Sequence, residues 1–205
     1  MELMARYPDN YFELAIVDPP YGINADKKNS CKKLQSKKSS ALSSDFGSQE
    51  WDSEIPNDEY FAELKRVSKR QVVWGANYFN LQGGMLYWDK HVTMPTYSQG
   101  ELAWLSWLNK VDFVSIAWHG MIQHDMKNKE IRVHPTQKPV KLYEWLLINY
   151  AKEGDKILDT HLGSGSIALA CHNLGFDLTG CELDTEYYDA ACKRLKQHQA
   201  QLTIF

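Results

Sequence analysis

The stretch from Lys156 to Glu182 constrains the fold more than any other. Lys156-Ile157-Leu158-Asp159 is a short apolar strand that runs into Gly163-Ser164-Gly165-Ser166. Helical spacing follows from Ile167 to Asn173, then a second strand from Asp177 to Cys181, closed by Glu182. Strand, glycine turn, helix, strand and acid make half of a doubly wound parallel α/β sheet. Glycines at such a junction let the backbone turn tightly and approach a ligand closely. Glu182 stands where a carboxylate can accept both hydroxyls of a ribose, which points to a nucleoside-bearing cofactor. Gly163-x-Gly165-x-x-Ala168 also satisfies the nicotinamide fingerprint, so an oxidoreductase stays open on this segment alone.

Composition narrows the setting. The 205 residues suit one domain spanning 1–205, and 43% hydrophobic with 24% charged residues excludes wholesale disorder. No apolar run approaches the roughly 18 residues of a membrane span. The N-terminus lacks a signal-peptide pattern. Cys31, Cys171, Cys181 and Cys192 show no C-x-x-C spacing, which argues against a zinc site or disulfide framework and for a reduced, cytoplasmic chain. A net charge of −3 predicts no general affinity for nucleic acid.

Upstream, Phe12 to Val17 is an apolar strand that must stop at Asp18-Pro19-Pro20-Tyr21-Gly22, because prolines cannot donate ladder hydrogen bonds. Residues 22–55 then read as a mobile Lys/Ser-rich loop; between positions 27 and 38, half the residues are lysine. Tyr60, Phe61, Leu64 and Val67 repeat at helical spacing, with acids before them and Lys65, Arg66, Lys69 and Arg70 late. Gln71–Trp74, Met85–Trp88 and Val111–Trp118 read as strands, Glu101–Leu108 as a helix, and 119–132 as polar chain. Helices are expected over Val140–Ala151 and Tyr187–Gln197.

The prolyl turn carries the chemistry. It is rigid and presents a carboxylate, a carbonyl and an aromatic face together. Asp18 and the Pro19 carbonyl can accept the two N–H bonds of an exocyclic amine while Tyr21 stacks on the ring. An aromatic amine is a poor nucleophile because its lone pair is delocalised, and two acceptors favour the pyramidal nitrogen that must form during attack.

Asp-Pro-Pro-Tyr, the glycine loop and His134-Pro135-Thr136-Gln137-Lys138-Pro139 together resemble the S-adenosylmethionine-dependent amino-methyltransferases that act on DNA bases. Their order, catalytic motif first and cofactor half last, is that of the permuted β-class, of phage or bacterial type. The resemblance spans nearly the whole chain, including Trp51-Asp52 and Trp74 to Phe79. It implies a Rossmann-like sheet with a small inserted recognition region within 80–133. It also implies that Asp159, Gly163, Ser164 and Gly165 line the cofactor, that Glu182 holds its ribose, and that Thr136, Gln137 and Lys138 sit near its carboxylate end; His161, standing where the family has phenylalanine, is a candidate to stack on the cofactor's adenine. Asp18, Pro19, Pro20 and Tyr21 would bind the target base, flipped out of duplex DNA. Asp at the first position resembles adenine-N6 enzymes more than cytosine-N4 ones. A non-catalytic cofactor-binding DNA module is a further alternative.

Two departures stand out. Asp159-Thr160-His161 replaces the family's Asp-Pro-Phe, and Met1 starts inside the helix that precedes the catalytic strand, so the chain is either truncated or short of one strand. For DNA, Lys27, Lys28, Lys32 and Lys33 are candidate phosphate contacts beside the base pocket, and Arg132 a candidate from the recognition region with Gln123, His124, Lys127 and Lys129. Replacing those four loop lysines by Ala should flatten the salt dependence of DNA affinity; an unchanged slope excludes the loop. The small recognition region suits a short site or a homodimer reading two halves. Gln201-Leu202-Thr203-Ile204-Phe205 resembles the pentapeptide by which bacterial proteins bind the replicative sliding clamp, the alternative being a tail packed on its own domain.

Overall fold

The computed structural model describes residues 1–23, 52–94, 97–119 and 122–201. Lys27, Lys28, Lys32 and Lys33, Trp51, and residues 202–205 of the clamp-like tail lie outside the described residues.

Strand β1 (Leu14–Val17) ends where the prolines require, and β2 (Gln71–Trp74) lies parallel beside it. Helix α1 (Asp58–Val67) joins them, capped by the Asn57 side chain, which accepts from Tyr60 N at 3.0 Å. Strands β3 (Gly84–Asp89), β4 (Gly100–Leu105) and β5 (Val111–Ser115) follow. A small hairpin, β6 (Trp118–His119) with β7 (Ile122–Gln123), comes next. Helix α2 (Val140–Tyr150), β8 (Lys156–Asp159), α3 (Ser166–Leu174), β9 (Asp177–Gly180) and α4 (Thr185–Gln199) complete the chain. The main sheet has the order β5-β3-β4-β2-β1-β8-β9, and β4 alone runs antiparallel to its neighbours.

Two apolar layers sandwich this sheet. Leu14 and Ile16 face a core shared with Leu142, Leu146 and Ile167, while Ala15 and Val17 face Phe61, Leu64 and Val67 of α1. Burial on both faces makes β1 continuously apolar. From β1 the chain winds through α1 to β2, and from β8 through α3 to β9, so winding reverses between the adjacent strands β1 and β8. Doubly wound sheets bind ligands at such a switch point, beyond the strands' carboxyl ends. Asp18 and Asp159 both sit there.

Two expectations change. The helix expected over Glu101–Leu108 is strand β4, paired on both edges. Its inner residues Ala103, Trp104 and Leu105 are all buried, so the run shows no alternation, and good helix formers masked a central strand. The strand expected over Val111–Trp118 breaks at Ile116-Ala117, where Trp118 turns inward and its indole N–H donates to Gln137 O at 2.7 Å. Residues 84–115, inside the stretch 80–133 expected to include a recognition region, build three strands of the main sheet. No helix among the described residues is long and apolar enough to cross a membrane.

Candidate active site

The Asp18–Tyr21 turn is held from several directions. Asp52, 1% exposed, accepts from the backbone N–H of Tyr21 at 2.6 Å and of Gly22 at 3.0 Å. The Tyr21 hydroxyl donates to Asp18. Gly75 has φ of 76°, and a Cβ there would stand 2.2 Å from the Tyr21 ring, so this position admits only glycine without displacing the tyrosine. Tyr78, just beyond it, stacks on Tyr21 with ring centroids 4.9 Å apart and planes 12° from parallel.

Lys138, expected near the cofactor's carboxylate end, is ion-paired at the Asp18 turn. Its ammonium lies 2.5 Å from Asp18 Oδ2 and 3.1 Å from Glu101 Oε2, and its side chain is 3% exposed. The reason is electrostatic: a buried cation takes the nearest carboxylates, and β4 brings Glu101 to the same place. Glu101 is held in turn by Lys90 at 2.8 Å. Against the desolvation that opposes it, the two lysines pull the Glu101 carboxyl down to about 2. Against its own desolvation, Asp18 and Glu101 keep Lys138 above the usual lysine range.

On the other side of the crevice, Gly163 and Gly165 adopt φ of 50° and 70°. A Cβ on Gly165 would meet Ala191 of α4 at 2.9 Å, so that glycine allows the helix to pack closely. Glu182 stands at the loop, where its carboxylate accepts from Gly163 N at 2.8 Å, Leu183 N at 2.8 Å and Asp184 N at 3.1 Å. Ser164 is buried and its hydroxyl meets that of Ser166 at 3.1 Å. Asp159 ends β8, 2% exposed, and accepts from His161 N at 2.9 Å. Burial, with the nearby Asp18 and Glu182 charges, pushes its carboxyl up to about 8. Burial raises both carboxyls, and Asp18, unlike Asp159, is ion-paired to Lys138.

The Asp159 state has a consequence for stability. Between the unfolded value near 3.8 and about 8, the unfolded chain has lost this proton and the folded chain keeps it, so stability falls as pH rises. Asp159→Asn should raise the melting temperature at pH 7.5 and leave it unchanged at pH 4. Equal shifts at both pH values would contradict the assignment.

The segment 134–138 spans the crevice. His134 packs against the face of Gly163 and against Tyr187, 4.3 Å between ring centroids, while Lys138 reaches Asp18. Thr136 bonds back to His134 Nδ1 through its N–H at 3.3 Å. Gln137 does not face the crevice as a free ligand: its side chain accepts from Val133 N at 2.9 Å and donates to Ile131 O at 3.3 Å, closing its own loop. Desolvation pulls His161 down to about 4, so the ring is neutral; it lies edge-on to Tyr60 at 5.5 Å and 3.0 Å from the Thr160 hydroxyl. Arg132 is half-buried, packed over Trp118 at 5.6 Å with its head on Pro135 O at 3.3 Å. Gln123 is likewise occupied, closing onto the backbone of Glu130 in both directions.

Sequence reasoning gave no site role to Glu101, Lys90 or Trp74, the last of which lies 5.1 Å beneath the Lys138 ammonium. An acid inside an apolar run was the available signal for Glu101, lost once the run was read as a helix.

The DNA methylase family model of the N6/N4 type matches residues 89–193, more than half of the chain. The chain belongs to the N6/N4 DNA methylase family. Within that family, 68 residues are 40% identical to the type II methyltransferase M.HpaI of Haemophilus parainfluenzae, covering 33% of this chain and 22% of that protein. Over 63 residues the chain is 43% identical to M2.DpnII of Streptococcus pneumoniae, covering 31% of this chain and 24% of that protein. The matches thus span under a quarter of the length of these curated relatives. Solved structures agree on the fold. The M1.HpyAVI–SAM complex superposes with a TM-score of 0.56 at 21% identity, over 94% of this chain and 92% of that one. The cytosine-N4-specific PvuII DNA methyltransferase gives 0.57 at 15% identity, over 100% and 84%.

Proposed function

We propose that this chain transfers a methyl group from S-adenosylmethionine to the exocyclic N6 amine of an adenine flipped out of duplex DNA. The observation that carries this reading is the Asp18–Tyr21 turn, ion-paired to Lys138, facing the glycine loop across one crevice. The loop's donor set suits the cofactor. Glu182 uses three of about four acceptor positions on backbone N–H groups, so it is fixed in place with capacity left for a ribose hydroxyl. Gly163 to Gly165 offer backbone at close range, with Asp159, His161 and Thr136 around them. When bound, S-adenosylmethionine supplies an electrophilic methyl on a sulfonium.

The chain's own groups do the rest. Asp18 and the Pro19 carbonyl accept the N–H bonds of the amine and draw its nitrogen toward a pyramidal geometry; Asp18 is the nearest acceptor for the proton lost on methylation. Tyr21 offers its ring to the base, and Tyr78 covers that ring until the base arrives. Extracting the base costs a few kcal/mol, and transfer then depends chiefly on holding amine and methyl in line. Adenine is favoured over cytosine by the resemblance of an Asp-initial motif to adenine-N6 enzymes. Incubation with labelled S-adenosylmethionine and duplex DNA, followed by nucleoside analysis, should yield N6-methyladenine. N4-methylcytosine would move the target to cytosine, and absence of label in either would reject the reading.

A further inference from the structure

Helix α4 meets the glycine loop with a single face. Tyr187, Ala191 and Arg194 lie at i, i+4 and i+7, and they touch His134, Gly165 and the Ser164–Ser166 turn respectively. Arg194 makes the most specific of these contacts. One guanidinium nitrogen donates to Ser164 O at 3.0 Å and to Ser166 Oγ at 2.9 Å. The other lies 2.5 Å from Glu130 Oε2, in a pair whose side chains are 13% and 22% exposed.

This placement would otherwise be unfavourable. Ser166 begins α3, and the positive end of a helix repels a cation. Glu130 offsets that cost. Its second oxygen accepts from Val140 N at 2.9 Å, the first residue of α2, so the carboxylate neutralises Arg194 and caps α2 together. One ion pair thereby ties the glycine loop, the start of α2 after the Lys138 segment, and residue 130 at the foot of the hairpin. Lysine would not reproduce this arrangement, since its donors sit on one atom whereas the guanidinium directs one nitrogen at the loop and the other at Glu130.

We propose that Arg194, locked by Glu130, is a positioning residue that holds the glycine loop in its ligand-binding conformation. The proposal rests on the reading of that loop as the S-adenosylmethionine site, and binding of the methyl-free product separates the two. Titration of S-adenosylhomocysteine into the full chain, by calorimetry at a temperature where circular dichroism reports folded protein, should show wild-type binding. Arg194→Met should weaken it about tenfold or more, the loss expected of a charge-assisted hydrogen bond. Glu130→Gln should weaken it less, and Arg194→Lys should recover part of the loss. Affinities within about twofold of wild type in folded Arg194→Met and Glu130→Gln, with only the melting temperature lowered, would overturn the proposal. Should Arg194→Met not fold, Glu130→Gln and Arg194→Lys decide it by the same criterion. No binding by the wild-type chain would instead remove the cofactor reading itself.

Discussion

Asp18→Ala should cripple methyl transfer to DNA, lowering kcat by about a hundred- to a thousandfold, the scale seen when a transition-state hydrogen-bonding group is removed. The carboxylate is the strongest acceptor in the turn, and its loss leaves the Pro19 carbonyl alone to polarise the amine. Asp18→Asn tests the same point with shape retained, since an amide keeps an acceptor but offers no charge. Both variants should still bind S-adenosylhomocysteine, because Glu182 and the glycine loop are built from β8 and β9 and do not depend on the turn. Label transfer at wild-type rate in either variant would contradict the mechanism.

Lys138→Met should have the largest effect on stability. It strands the Asp18 carboxylate and removes one of the two cations on Glu101, both groups at a largely buried site. Breaking a buried pair from one side costs about 3–5 kcal/mol. For a domain of this size that corresponds to a melting temperature lower by roughly 10 °C. Neutralising the stranded partner should undo much of the damage, so the double variant Lys138→Met/Asp18→Asn is expected to melt well above the single one. A single variant melting within about 2 °C of wild type would show that the cluster is not coupled as drawn. The pH dependence has a definite sign. Glu101 is held at about 2 in the folded chain against an ordinary 4.5. Its contribution is fully present above 4.5 and lost as pH falls from there toward 2. Lys138→Met should shrink that acid-dependent part of the stability.

Most of the sheet and the glycine half of the site were legible because local rules govern them. Glycine is the residue that tolerates the left-handed turns at 163 and 165, prolines end β1, and α1 shows its buried face at helical spacing. The expectation for Glu182 rested on a strand-to-acid offset inside one βαβ unit, which is short-range information as well. Failures began where a residue's neighbours come from elsewhere. The end of strand β4 is buried on both faces of the sheet, Ala103 and Leu105 in one apolar layer and Trp104 in the other, so its period was hidden. The roles of Gln137 and Gln123 depended on loops folding back upon themselves.

The chain's sequence by itself determined the two chemical ends of the crevice: a rigid Asp-Pro-Pro-Tyr turn after one strand, and a glycine turn answered by an acid after another. Tertiary structure alone decided what joins them. Lys138 meets Asp18 across 120 residues, and Glu101 joins them only because an antiparallel strand is inserted beside β2. Spacing encodes turns and faces, since these arise from backbone geometry a few residues long. The partner of a buried charge is set by which strands become neighbours, and that choice belongs to the packed sheet.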